Sequence, residues 1–117
     1  MDKEEIESNL RDLMDLVPEC EGLIAAKKDN GEVIVGRTIT EMDHDKIAQA
    51  AVKILDDSTN LKQSIGKGKV KNTMVTLDDG FAVLVEGKDE IFIALAGKDG
   101  RASLGLLKRN LESISEK

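Results

Sequence analysis

The residues of this chain that could do chemistry are few and scattered. His44, the only histidine, stands between Asp43 and Asp45. An imidazole and two carboxylates can hold a metal, but adjacent residues at a helix start diverge around the axis. The Asp-His-Asp run therefore predicts a solvated helix terminus, and no metal. Cys20 lies between Glu19 and Glu21. Flanking carboxylates disfavour a thiolate, so Cys20 is a poor nucleophile. A lone cysteine permits no intramolecular disulfide and suits a reducing compartment. No Ser-His-Asp arrangement is credible when the one histidine follows a helix-start Asp. Gly66-Lys67-Gly68-Lys69 has the composition of a phosphate loop. It lacks the Gly-x-x-x-x-Gly-Lys-Ser/Thr spacing and leads into a strand, where a phosphate site needs a helix N-terminus. The acidic residues are spread over helix faces as solvated groups. No catalytic residue, cofactor site or metal site is expected.

Charge is more informative. The net charge of −6 argues against general nucleic-acid binding, which needs a positive excess to neutralise phosphates. Residues 60–77 nevertheless hold four lysines (Lys62, Lys67, Lys69, Lys71) and no acid, whereas the rest of the chain holds 13 basic against 23 acidic residues. That segment reads either as a solvated loop or as a basic patch that attracts an acidic partner or a membrane surface. No apolar run approaches the roughly 20 residues needed to cross a bilayer. The start, Met1-Asp-Lys-Glu-Glu5, lacks the apolar core of a signal peptide. A cytoplasmic domain without membrane insertion is expected.

The elements follow from hydrophobic periodicity. Phe81–Glu86 and Ile91–Ala96 are uninterrupted apolar runs joined by a short polar turn, the pattern of a β-hairpin. Neither run alternates apolar with polar, so both faces of each strand must be covered. Both Phe residues, the only aromatics, sit here. Asp2–Val17 carries Ile6, Leu10, Leu13, Met14 and Val17 at helical steps, and Pro18 stops it. Leu23–Lys28 and Val33–Arg37 form a second hairpin around Asp29-Asn30-Gly31. Asp43 to about Ser58 is a helix with Ile47, Ala48, Ala51, Val52, Ile54 and Leu55 as a wide apolar stripe. Asn60–Lys69 has no clear period and reads as a loop, and Val70–Leu77 as the third strand. Leu104, Leu107, Leu111 and Ile114 place a closing helix on one face.

The order is α-β-β-α-β-β-β-α in one domain spanning 1–117. Its class is α/β in the broad sense, a three-layer α+β arrangement. Hairpins fix the sequential neighbours, and the doubly apolar strands one, four and five must be interior. The five-stranded antiparallel sheet is therefore ordered 2-1-5-4-3, with helix two on one face and helices one and three on the other. An eight-residue third strand at an edge is a liability that only Lys69 and Lys71 guard. The stripe on helix two is also wider than one sheet face needs. A two-fold dimer answers both, with Ala48, Ala51, Val52 and Leu55 meeting their copies and Lys71, Thr73 and Val75 lying along the paired strands. Asp45, Gln49, Lys53 and Asp56, spaced at three or four, then form an outward platform for a partner.

Glu19-Cys-Glu-Gly-Leu-Ile-Ala-Ala-Lys-Lys-Asp-Asn-Gly-Glu-Val-Ile-Val35, followed by a helix, resembles the opening of Roadblock domains of the roadblock/dynein light chain family. Ala102-Ser-Leu-Gly-Leu-Leu-Lys108 is similar to the family's closing signature. Where the family usually has Asn, this chain has Ser103, which still suits a helix N-cap. The resemblance covers nearly the whole chain, including the element order. It implies a non-catalytic dimer with a continuous sheet across the two-fold axis, which binds or regulates a Ras-like small GTPase or serves as a structural subunit of motor or trafficking complexes. Any of Arg11, Arg37, Arg101 and Arg109 could serve such a GTPase as an arginine finger, and nothing singles one out. The competing class is a small-molecule-binding sensory or regulatory domain with a pocket between sheet and helix. Against it, no polar cluster interrupts any apolar run.

Overall fold

The computed structural model describes residues 1–117. Its strands are β1 (Cys20–Lys27), β2 (Val33–Thr38), β3 (Thr73–Leu77), β4 (Gly80–Glu86) and β5 (Glu90–Gly97). They form one antiparallel sheet in the order β2-β1-β5-β4-β3, as the apolar runs require. Neighbouring residues along the central strands go to opposite faces, and both faces are apolar. Leu23, Ala25, Phe92, Ala94, Val83 and Val85 point to one side, where they pack with Ile6, Leu10 and Leu13 of α1 (Lys3–Leu16) and Leu107 and Leu111 of α3 (Leu104–Ser115). Ile24, Ala26, Ile91, Ile93 and Leu84 point to the other side and meet Ala48, Ala51 and Leu55 of α2 (His44–Ile65).

The starts of α1 and α2 are capped by side chains. The Glu5 N–H donates to Asp2 Oδ1 at 2.8 Å, and the Lys46 N–H to Asp43 Oδ1 at 3.1 Å. At the far end of α2, Gly66 takes the left-handed conformation with φ of 62° and donates its N–H to the Lys62 carbonyl.

Three expectations change. Residues 60–65 are not loop: α2 runs on to Ile65 before Gly66 stops it. Ser58, Thr59 and Ser64, which weaken the helical signal, satisfy their hydroxyls on the carbonyls of Ile54, Leu55 and Asn60 one turn back. The third strand begins at Thr73, not Val70, which shortens it to five residues and leaves Lys71 outside it. Just ahead of it the Asn72 amide donates to Glu112 Oε1 of α3 at 3.0 Å, drawing the chain towards that helix. Ser103 makes no capping bond: a 3₁₀ turn over Lys98–Ser103 feeds straight into α3, with Ser103 itself in helical conformation.

Phe92, the largest fully buried side chain, sits on the central strand between β1 and β4. Truncation to Ala is expected to cost about 3–5 kcal/mol in a denaturant titration, from lost transfer energy and a residual cavity. A loss below about 1 kcal/mol would contradict the central place of β5.

Candidate functional site: an open strand edge and an exposed apolar helix stripe

The two sheet edges differ. β2 carries a bulge: Val35 pairs with Ala25 and Val33 with Ala26, so Ile34 is an extra residue, and Arg37 adds a charge. A bulge and a charge both discourage pairing with another strand. β3, Thr-Met-Val-Thr-Leu, pairs with β4 in unbroken register and contains no charge, proline or bulge. Its outer edge is a regular row of backbone donors and acceptors.

α2 carries an apolar stripe of its own. The helix starts next to β2 and touches β1, β2, β4 and β5. Its 22 residues span about 33 Å, and its second half passes the hairpin-turn end of the sheet, where Thr59, Asn60 and Lys62 line one groove with Glu86, Gly87 and Lys88. Burial accordingly stops at Leu55, and no residue from Asp56 to Ile65 is buried. Along this overhang Leu61 is 61% and Ile65 56% exposed, with Ile54 about two turns before Leu61. The spacings of seven and four place the three on one stripe. Val75 and Leu77 lie on the same side of the sheet, since Val75 pairs with Ala82 and Thr73 with Leu84, which packs under α2. Leu77 is 60% exposed. Apolar surface is thus exposed in two places, the outer stripe of α2 and the far end of the β3 edge.

The residues of the expected seam divide between core and edge. Ala48, Ala51 and Leu55, at 0, 3 and 4% exposure, are buried against the chain's own sheet and have no surface left for a second chain. Val52 packs half-buried against the same cluster. Lys71 precedes β3, and only Thr73 and Val75 lie on the open edge. An apolar stripe does not declare which surface it faces, and here the shallow alanines serve close approach of the helix to its sheet. Sequence reasoning misses Leu61, Ile65 and Leu77 as surface residues, because residues 60–69 lack an obvious period.

Of the expected platform, Asp45, Gln49, Lys53 and Asp56 are all exposed on α2. Gln49 is already engaged: its amide donates to the Asn30 carbonyl at 2.8 Å and ties the β1–β2 turn to the helix. Asp56 borders a cleft shared with Lys27, Lys28 and Lys88. Asp45 and Lys53 take part in neither of the chain's ion pairs.

His44 is not a merely solvated terminus. Its ring is half-buried and lies against Gly36 of β2, where a Cβ would overlap the Nδ1 side of the imidazole. Nε2 is 3.1 Å from Thr38 Oγ1, and the Thr38 hydroxyl donates to the Thr40 carbonyl at 2.6 Å. That hydroxyl has one proton, so the Nε2–H of His44 is the donor between them. His44 thereby clamps the start of α2 to the β2 edge. Cys20 is buried, and desolvation pushes its thiol above the ordinary value, with a smaller contribution from Glu21 in the same direction. It has neither the access nor the thiolate that nucleophilic chemistry needs.

Gly36→Ala should displace the His44 ring and destabilise the fold by about 1–3 kcal/mol. Combining it with His44→Ala should recover part of that loss in a double-mutant cycle read by thermal unfolding. Strict additivity would show that the two do not interact.

No protein-family model and no curated protein matches the sequence. Solved structures do match. The chain is similar to a Roadblock/LC7 domain from Streptomyces avermitilis at 20% identity and a TM-score of 0.78, over 90% of this chain and 87% of that one. It is similar to Myxococcus xanthus MglB at 17% identity and a TM-score of 0.82, over 97% and 84%. It is also similar to the gliding protein MglB of Thermus thermophilus at 12% and 0.73, over 93% and 89%. With the sheet order, the two-sided helix cover and these superpositions together, the chain has the Roadblock-domain fold.

Proposed function

We propose that this chain is a non-catalytic, homodimeric interaction module that docks a Ras-like small GTPase in the cytoplasm. One observation carries the dimer: the β3 edge is regular and uncharged, and apolar side chains stand exposed both on it, at Leu77, and on α2, at Ile54, Leu61 and Ile65. Two copies related by a two-fold axis would pair β3 with β3 and bury the overhanging half of α2 against its copy. A similar fold, MglB, is described in a tetrameric arrangement, which supports self-association on this architecture. The GTPase rests on the Roadblock resemblance. On this reading the exposed polar side of α2, with Asp45 and Lys53 outside the chain's ion pairs, is the roof on which it sits.

Light scattering should give twice the 12.7 kDa chain mass at micromolar concentration. Leu61→Glu and Leu77→Glu, both at positions already exposed in the single chain, should give folded monomers. Burying an unpaired carboxylate in a seam costs several kcal/mol, while exposed substitutions stay within about 0.5 kcal/mol of parent stability. A clean monomer from the parent chain at every concentration would remove the model.

Lys53→Glu should weaken capture of Ras-like GTPases without altering dimer mass or thermal stability. Lys108→Glu on α3, across the sheet, is the control. Loss of binding with Lys108→Glu but not Lys53→Glu would move the partner to the opposite face.

A further inference from the structure

We propose that a lysine-lined groove at the hairpin-turn end of the sheet binds an acidic polypeptide segment of a partner protein. The groove, about 1230 Å³, lies between the overhanging half of α2, the connection to β3, the β4–β5 turn and the end of α3. Lys28, Lys62, Lys67, Lys69, Lys71 and Lys88 line it, in a chain whose net charge is −6.

These lysines are available. The ion pairs of the structure are Lys27 with Glu32 and Lys28 with Glu86, so the other five lysines of the groove are unpaired. Carboxylates do stand nearby, but Glu86 is taken by Lys28 and Glu112 accepts from the Asn72 amide. The four lysines of residues 60–77, scattered over a helix end and an irregular connection, are brought to one concavity by the fold.

The lining also selects the occupant. Val70 is the one apolar residue in it, which excludes a hydrophobic anchor. A flat anionic bilayer would gain no insertion there, and it would meet Asp56, Glu86, Glu112 and Glu116 on the same walls. A compact phosphate would sit near the C-terminal end of α2, where the helix dipole presents partial negative charge. A peptide segment can place its carboxylates against the ammonium groups and leave gaps at the acidic positions. The inference stands on the single chain and does not depend on self-association or on a GTPase.

Fluorescence anisotropy with a labelled Asp/Glu-rich peptide tests it on the full chain. Binding is expected to weaken about tenfold or more as salt shrinks the screening length from about 30 Å at 0.01 M to about 8 Å at 0.15 M. Replacing Lys67, Lys69 and Lys71 together with Glu should weaken it by about tenfold or more, and replacing them with Arg should preserve it. Lys46→Glu, outside the groove, should leave binding unchanged. Should the Glu triple variant fail to fold, Lys69→Gln with Lys88→Gln provides the same loss with a smaller perturbation. The proposal is overturned if the Asn/Gln counterpart peptide binds equally well, or if the Glu triple variant binds like the parent. It is likewise overturned if phosphatidylserine vesicles or inorganic phosphate bind while the acidic peptide does not.

Discussion

Covering a sheet whose three central strands are apolar on both faces is the constraint from which the rest of this structure follows. β1, β5 and β4 put aliphatic side chains up and down in turn, so neither face can be left to water. A five-stranded sheet is about 19 Å wide and a helix about 10 Å across. Two helices, α1 and α3, therefore cover one face, and that cluster holds 17 buried residues. The other face has α2 alone, and its cluster holds eight. Ala48 and Ala51 let α2 settle close over Ile24, Ala26 and Ile93, but one helix cannot reach the β3 side. The exposed Leu77 and the bare flank of Ile54 are what that imbalance leaves uncovered.

How much of this can be read from residue order varies along the chain. The sheet order is legible because the apolar runs at Leu23–Ala26, Phe81–Val85 and Ile91–Ala96 leave no choice about which strands are central. The caps at Asp2 and Asp43 are legible because a carboxylate three residues before an available N–H is a local signal. The stretch from Asn60 to Asn72 is not. There α2 leaves the sheet, so burial no longer imposes a period, and Ser and Lys obscure the helix that continues. The burial of Ala48, Ala51 and Leu55 is illegible for a different cause. Ala48, Ala51 and Leu55 form a good apolar stripe, but whether it faces the chain's own sheet or another chain is a tertiary fact.

The few chemically capable side chains are absorbed by the scaffold. His44 commits its Nε2–H to Thr38 and its ring face to Gly36, joining helix start to strand edge. Gln49 holds the first hairpin turn through Asn30. Cys20 is sealed under the strands with its thiol kept protonated. What remains free is charge, and it is segregated: lysines gather at the hairpin-turn end, while acids dominate elsewhere. A charge distribution of this kind would act on a partner's sign and orientation, setting encounter and register more than affinity.

The proposed seam and the lysine groove share one physical origin. Both are built from the part of the chain that the core does not hold, the overhang of α2 and the connection into β3. Pairing two β3 strands would cover the flanks of two α2 helices, yet the ratio of one helix to five strands on that face would stay as it is. The dimer would therefore still present a shallow, thinly covered side, bordered at its ends by unpaired lysines. A platform for a third protein needs such a surface: a rigid sheet beneath, an incomplete helical layer above, and charged margins that orient whatever completes it.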